Sequence, residues 1–551
     1  MVMNKKIIVT AIIICVFAFL GSMKAQNKFW ILFKNKSGTP YTLSTPSTFL
    51  SAKSIARRAM YNTAYDNSDL PVTPSYISQV DNVPNVTVLY ASKWLNGVVV
   101  TITSSFVASA LSTINSFSFV VSSGQVNKYK INLPDDIEAT QTNNQLFDRA
   151  ANTNGFSMGV TAAQNKELGV DCLHDLGFRG QGMTIAVLDI GFDNYSTNPV
   201  FDSVRARGGI LGTRDFVDGG NNVEGDGSHG AHVLSCMAAV KPGFYIGSAP
   251  RADYWLFRTE TGPTETISEE YNWIRGAEFA DSAGVDILTT SLGYTEFDNP
   301  SQNHTPAMLN GRTAPMSIAA TMAARKGMFV LNAAGNEGGS SWQKISVPSD
   351  ADSICTVGAI DTLGVIAGFS SKGPTADGRI KPDLVARGLG AWIVAVGGNY
   401  SPANGTSFAT PILAGAVACH WQANRALNNI AILRNLKSKA SNAALPNNTL
   451  GWGRPNVCEF KVGISESPLP FGGDFFIFPN PFNTLLTIDL GNLNSGDVSI
   501  EVSDVLGKKI FIDDTNSKSY FLNTSTYPEG IYTIKISGSN GTKTKKIVKQ
   551  Q

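Results

Sequence analysis

Charge is in short supply. Only 16% of the 551 residues are Asp, Glu, Lys or Arg, against about 25% in ordinary soluble domains. The two signs also cancel, 44 basic residues against 43 acidic ones, for a formal charge of +1. No basic excess remains to mark a nucleic-acid surface, so that partner is excluded. Cysteine is scarce too. Of six, Cys15 lies in an apolar leader, and Cys172, Cys236, Cys355, Cys419 and Cys458 remain, odd in number and widely spaced. Neither a disulfide framework nor a zinc-type CxxC pattern is expected. Cys236 and Cys419 fall in apolar helical stretches and read as small buried hydrophobes. Long apolar runs are missing after the leader. Ile7 to Leu20 is a run of 14 residues broken by Thr10, short of the ~20 that span a bilayer. It follows a short positive start and precedes the small residues Gly21 to Ala25. That is the pattern of a secretory signal peptide, residues 1–25, cut after Ala25. The mature chain is expected to be soluble.

Apolar residues make up 43% of the chain, alongside 52 Gly. That is enough for several cores and excludes general disorder. The length predicts about three to four domains. In residues 26–150, Phe29 to Phe33 and Val86 to Tyr90 read as strands, Trp94 to Val100 follows closely with Asn96-Gly97 as a turn, and Ser51 to Arg58 is a basic helical stretch. A polar segment from Asp135 to Asn154 reads as a linker. In residues 155–460 the runs Thr184 to Leu188, Tyr254 to Phe257, Val285 to Leu288, Met328 to Leu331 and Thr356 to Ala359 alternate with helical patterns. Ile267, Tyr271, Ile274 and Ala277 keep helical spacing, and Met316 to Lys326 is Ala-rich. Strand and helix in alternation imply an α/β domain, a parallel sheet covered by helices. Residues 461–474 have a Ser/Pro/Gly linker composition. In residues 475–551, short runs at Phe475 to Phe478, Leu485 to Leu490, Val498 to Val502, Lys509 to Ile512 and Ile531 to Ile536 suggest a small all-β sandwich.

Three contexts in the α/β region carry chemistry. Asp189 ends the Thr184 to Leu188 strand, where ligands sit in open α/β sheets. His229, in Ser228-His229-Gly230-Ala231-His232-Val233, opens an apolar helical run. Ser407, in Gly405-Thr406-Ser407-Phe408-Ala409-Thr410-Pro411, opens another. Taken singly, an Asp ending a strand or a Ser opening a helix is often only a cap. His229 and His232, with Asp226, have spacing that could suit a metal, but no ordered ligand set accompanies them. His232 reads as structural, and His174, His304 and His420 are given no role. Together, Asp, His and Ser in that order match one of the known orders of a nucleophilic triad.

These blocks, with Ile185-Ala186-Val187-Leu188-Asp189-Ile190-Gly191 and Ala333-Ala334-Gly335-Asn336-Glu337-Gly338, resemble the subtilisin-like serine proteases (peptidase family S8) over about 300 residues. Ala231 departs from the family's usual Thr, beside the histidine but outside the triad. The resemblance implies a subtilisin-like parallel sheet with helices on both faces. It implies Ser407 as nucleophile, His229 as base and Asp189 as the group that orients it. It implies Asn336 as oxyanion donor beside the Ser407 backbone N–H. Substrate would lie along Ser291, Leu292 and Gly293, with Ala333, Ala334 and Gly335 as the facing wall of the pocket for the side chain before the scissile bond. No cofactor is required for this chemistry. Family members often bind structural Ca²⁺, but no loop here specifies a site.

The flanks carry weaker resemblances. Residues 26–150 resemble an α+β propeptide of Bacteroidetes subtilisin-like proteases, through Phe49 to Arg58 and Trp94-Leu95-Asn96-Gly97, with cleavage expected between about 140 and 160. A permanent accessory domain is the other reading. Residues 475–551 resemble a type IX secretion sorting domain, through Phe478-Pro479-Asn480-Pro481-Phe482, Val505-Leu506-Gly507-Lys508, Gly530-Ile531-Tyr532 and Lys545 to Lys549. A generic binding β-sandwich is the alternative. The partners implied are protein or peptide substrates and the type IX machinery, with membrane met only in transit or by surface attachment. The location is secreted or cell-surface. The rival functions are an inactive relative that binds peptides in the same cleft, and an adhesin.

Overall fold

In a computed structural model, the described residues are 26–126, 157–262, 264–458, 475–480, 482–490, 498–505, 507–517, 519–538 and 541–550. The expected leader, the polar linker from Asp135 to Asn154, the propeptide cleavage zone up to residue 156 and the 461–474 linker lie outside them. The chain forms two compact units, Met1–Glu459 and Phe460–Gln551.

The first unit opens with an antiparallel sheet of β1 (Gln26–Phe33), β2 (Val86–Ser92), β3 (Gly97–Thr103) and β4 (Val120–Val126), in the order β2-β3-β1-β4. Asn96 enters β3 at φ 53°, a left-handed turn position that Asn tolerates. Helices α1 (Ala52–Met60), α2 (Pro74–Asp81) and α3 (Val107–Asn115) accompany the sheet. Ser51 caps α1 by accepting from the Ser54 N–H at 3.1 Å. Ile31, Val98, Val100 and Ile114 fill the core of this domain.

A seven-stranded sheet follows, made of β5 (Thr184–Asp189), β6 (Ile210–Asp215), β7 (Asp253–Arg258), β8 (Ile287–Thr290), β9 (Phe329–Ala333), β10 (Cys355–Ile360) and β11 (Leu384–Arg387). Its spatial order is β11-β10-β9-β8-β5-β7-β6, and every pairing is parallel. Every residue of β5, β8 and β9 is buried, which is why these strands read as unbroken apolar runs. Helices α4 (His229–Ala238), α5 (Ser268–Ala283), α6 (Pro315–Arg325) and α7 (Thr406–Ala423) cover the sheet. α4 packs with α7, and α5 packs with α6. The strand order puts β5 next to β8, although β5 ends at Asp189 and β8 begins only at Ile287. The carboxyl ends of sequence-distant strands therefore meet along one edge, and the site lies there.

The absence of disulfides expected from the cysteine spacing is overturned. Cys172 and Cys458, 286 residues apart, are bonded with Cα atoms at 6.0 Å. Spacing along the chain carries no trace of that pair, because tertiary folding alone makes them neighbours. Cys236, Cys355 and Cys419 are free and buried. The basic stretch Ser51 to Arg58 is not a solvated face. Arg57 and Arg58 are buried against Asp281 of α5, at 2.7 and 2.8 Å. Arg58 also meets Asp69, and Lys326 meets Asp66 and Asp69. The Glu278 carboxylate accepts from the backbone N–H groups of Trp94 at 3.0 Å and Lys93 at 3.1 Å, and Trp30 stacks on Tyr271. The first domain is thus docked on α5 through buried charge.

The second unit has two antiparallel sheets. One holds β12 (Phe476–Phe478), β13 (Leu485–Asp489) and β16 (Ser519–Asn523). The other holds β14 (Val498–Asp504), β15 (Lys509–Thr515), β17 (Gly530–Gly538) and β18 (Gly541–Lys549). Leu486, Ile488, Ile500 and Ile534 from both sheets share one core, so the region is all-β as expected.

Candidate active site

Asp189 ends β5 with no exposed surface. Its Oδ1 accepts from the Ile190 backbone N–H at 2.9 Å and lies 2.8 Å from His229 Nδ1. His229 is the first residue of α4. The helix can begin this close to the strand end because residue 230 is Gly. A Cβ there would stand 2.5 Å from the Gly191 carbonyl oxygen and 2.9 Å from Asp189 Cβ. The Gly230 N–H instead donates to that carbonyl at 2.9 Å. Ala231, where the related pattern has Thr, is buried in α4. Asp226 is turned to Arg258, 3.1 Å away, and not toward the two histidines.

Ser407 sits in the first turn of α7. Its Oγ donates to the Ser291 carbonyl at 3.2 Å, and Ser291 Oγ donates to the Ser407 carbonyl at 2.8 Å. The segment after β8 is thereby locked to the start of α7. The Phe408 ring lies 5.9 Å from the His229 ring, centre to centre, which brings the turn carrying Ser407 beside the imidazole. Asn336 follows β9. Its Oδ1 accepts from the Thr406 N–H and Oγ1, both at 2.9 Å. With the oxygen so held, its Nδ2 is left on the Gly405 side, 3.7 Å from where a Cβ at that glycine would be. Four sequence-distant residues thus converge on one end of the sheet.

The two expected substrate walls also converge. Asn332 Nδ2 donates to the Leu292 carbonyl at 3.1 Å and the Ala333 carbonyl at 2.9 Å, joining the walls through one amide. Ala334 N–H donates to the Val357 carbonyl, and the Gly335 carbonyl accepts from Ser371 N–H. Leu292 is half-buried and Gly293 is exposed, so this strand of backbone is open on one side.

Ser346 was not singled out by the sequence, and nothing in its neighbourhood marks it there. It is 2% exposed and lies between the walls. A Cβ on Gly293 would stand 2.0 Å from its Oγ, and one on Gly335 would stand 3.2 Å away. Gly293→Ala should therefore cost about 1–3 kcal/mol through overpacking. Ser346→Gly in the same chain should restore part of it, and thermal midpoints with kcat/KM for the four forms of the double-mutant cycle check this.

A parallel α/β sheet that gathers Asp, His and Ser at one end has the layout of the serine hydrolases that use a nucleophilic triad. The chain belongs to the subtilase family. Residues 180–453 match the subtilase family model, residues 28–145 match the Bacteroidota propeptide domain of peptidase S8, and residues 476–550 match a secretion system C-terminal sorting domain. Over 273 residues the chain is 33% identical to Subtilisin E of Bacillus subtilis (strain 168), covering 49% of this chain and 63% of that protein. It is 32% identical over 273 residues to a subtilisin of Bacillus pumilus, covering 49% and 87%. It is 31% identical over 279 residues to Subtilisin BL of Lederbergia lenta, covering 50% and 89%. The aligned stretch thus spans less than two thirds of Subtilisin E. The carboxyl-terminal match indicates export by type IX secretion to the cell surface or the extracellular space.

Proposed function

We propose that the protein is a secreted serine endopeptidase that cuts peptide bonds through an acyl-enzyme. The observation that carries this reading is the buried Asp189 carboxylate 2.8 Å from His229 Nδ1, with the Ser407 turn beside the same imidazole. Ser407 would attack the scissile carbonyl while His229 takes its proton. Asp189 would hold the imidazole tautomer and stabilise its positive form. His229 would then return the proton to the leaving amine. Asn336 Nδ2 and the Ser407 backbone N–H would bind the oxyanion. Ser291 to Gly293 would pair with the substrate main chain, and Ala333 to Gly335 would line the pocket before the scissile bond. No step calls on a cofactor, and Ca²⁺ would serve structure alone.

The same reading makes residues 26–150 a propeptide and 475–551 a removable sorting domain, leaving residues 155–460 as the working enzyme. Proteins or peptides are its substrates, and the type IX machinery handles it on the way out. A fluorophosphonate probe tests the core of the proposal, since labelling of the matured protein at Ser407 is the expected result. An unlabelled Ser407 would favour a peptide-binding relative without activity. Asn336→Ala should lower kcat by about 10²–10³, or roughly 2.7–4 kcal/mol, the size of this loss in the related subtilisin. KM should change little, because the interaction is made in the transition state.

A further inference from the structure

The loop that leaves β7 runs beside the Asp189–His229 pair. Thr259 N–H donates to the Asp189 carbonyl at 3.0 Å. A Cβ on Gly262 would stand 3.4 Å from Ile190 and 3.5 Å from the Asp226 carbonyl oxygen. The loop then reaches Glu265, whose carbonyl accepts from the Asp298 N–H at 2.9 Å. Asp298 lies on the segment that continues from the Ser291 to Gly293 wall. The loop and that wall are therefore tied together just beyond the pocket.

Four carboxylates gather at this tie. Glu269 is committed to structure, accepting from the N–H groups of Thr261 and Thr266, both at 2.9 Å, at the start of α5. Glu260 accepts from the Tyr294 hydroxyl. Glu265 and Asp298 differ from both. Among the described residues neither carboxylate takes a hydrogen bond, and Asp298, only 8% exposed, has a buried Oδ2 with no partner. Among the described residues no basic side chain forms an ion pair with either of them. The neighbouring Arg258 is turned to Asp215, Asp218 and Asp226. Burial, then repulsion from Glu269 and Asp298, pushes the Glu265 carboxyl up to about 9. Burial likewise lifts Glu269 to about 7 and Glu260 well above the ordinary range. A group in this position is satisfied either by a proton or by an incoming cation.

A metal ion does not suit the spacing, because among the described residues no three carboxylate, imidazole or thiolate side chains are placed to hold one. A longer cation that carries several N–H donors on a flexible stem does suit it. We propose that Glu265 and Asp298, with Glu260 behind them, form a subsite for a Lys or Arg side chain of the substrate on the amino-terminal side of the scissile bond. The proposal rests on the proteolytic reading above and names its substrate class.

The test is a positional peptide library cut by the matured full-length product. At one position before the scissile bond, Lys and Arg should exceed Ala by at least about tenfold in kcat/KM, the worth of one charge-assisted hydrogen bond. Glu265→Gln and Asp298→Asn should bring that ratio toward one, and Glu265→Lys should turn it in favour of acidic residues. Glu265→Gln should also raise the thermal midpoint, because an amide there removes a buried acid that must take up a proton on folding, so a lost ratio would not reflect unfolding. Equal rates for Lys, Arg and Ala at every position, with peptides still cut, would overturn the subsite and leave the protease standing. A ratio unmoved by the Gln and Asn variants would overturn it as well. A thermal shift with Ca²⁺ that Glu265→Gln abolishes would hand the carboxylates to a metal and also overturn it. No cutting at all, with Ser407 unlabelled, would remove the proteolytic reading and the subsite together.

Discussion

Ser407→Ala should lower kcat by about 10⁶, the size of loss seen when the related subtilisin loses its nucleophile. The change removes one oxygen from a half-buried residue. The bond that oxygen makes, to the Ser291 carbonyl, is long at 3.2 Å, while the return bond from Ser291 Oγ to the Ser407 carbonyl at 2.8 Å is untouched. The turn should therefore keep its shape and the thermal midpoint should hardly move. On the proposed mechanism no acyl-enzyme could then form, but Asn336 and His229 would still act on bound water, leaving a residual rate of about 10³–10⁴ over water. The consequence for maturation is larger than that for turnover. If the precursor processes itself, Ser407→Ala should yield a chain that still carries residues 26–150, read by mass spectrometry of the exported form. A product of normal mature size would assign the cut to another protease.

How much of this was legible in the sequence depended on whether a feature was local. The β5, β8 and β9 regions were readable because both faces of these strands are buried, which favours apolar residues at successive positions and leaves the polar ones at or near the carboxyl ends and at Thr184. The two edges of the same sheet were not. β6, Ile210–Asp215, carries Thr, Arg and Asp, and β11, Leu384–Arg387, has only four residues. In the second unit β18 was read only as a Lys-rich ending. It is an edge strand, where lysines deter unwanted pairing. Asp189, His229, Asn336 and Ser407 were singled out because each sits in its own short motif block, an apolar strand end for Asp189 and Gly- and Ala-containing turns for the other three. Meetings of distant segments that no motif block marks were missed. Ser346 between the walls, the Glu265–Asp298 pair and the Cys172–Cys458 bond have no sequence-local sign, since each takes its meaning from a neighbour across the fold.

The docking of the amino-terminal domain belongs to that second group, and it carries the other large expected effect. Asp281→Ala should destabilise the precursor by about 3–5 kcal/mol, the cost of stranding a buried charge. The value should fall at the upper end, because Asp281 serves three cations, Arg57, Arg58 and Lys93. Asp69 can still answer Arg58 at 2.8 Å, but Arg57 loses the one carboxylate it pairs with among the described residues. Denaturant midpoints of the full-length chain measure the loss. In the matured enzyme without residues 26–150 the three cations are gone, so the same substitution should cost far less. A change of equal size in both forms would place the role of Asp281 inside the enzyme and not at the interface. The pH dependence follows from the same contacts. Burial works to raise the Asp281 carboxyl, but Lys93, Arg57 and Arg58 outweigh it and hold the group below its ordinary range. A depressed carboxyl contributes stability that is complete above its unfolded value, about 3.9, and is lost as pH falls through the folded value. The precursor interface should therefore hold from neutral pH down to about 4 and loosen only in stronger acid. In Asp281→Ala that acid-dependent loss should be shallower, since the group that titrates is no longer there.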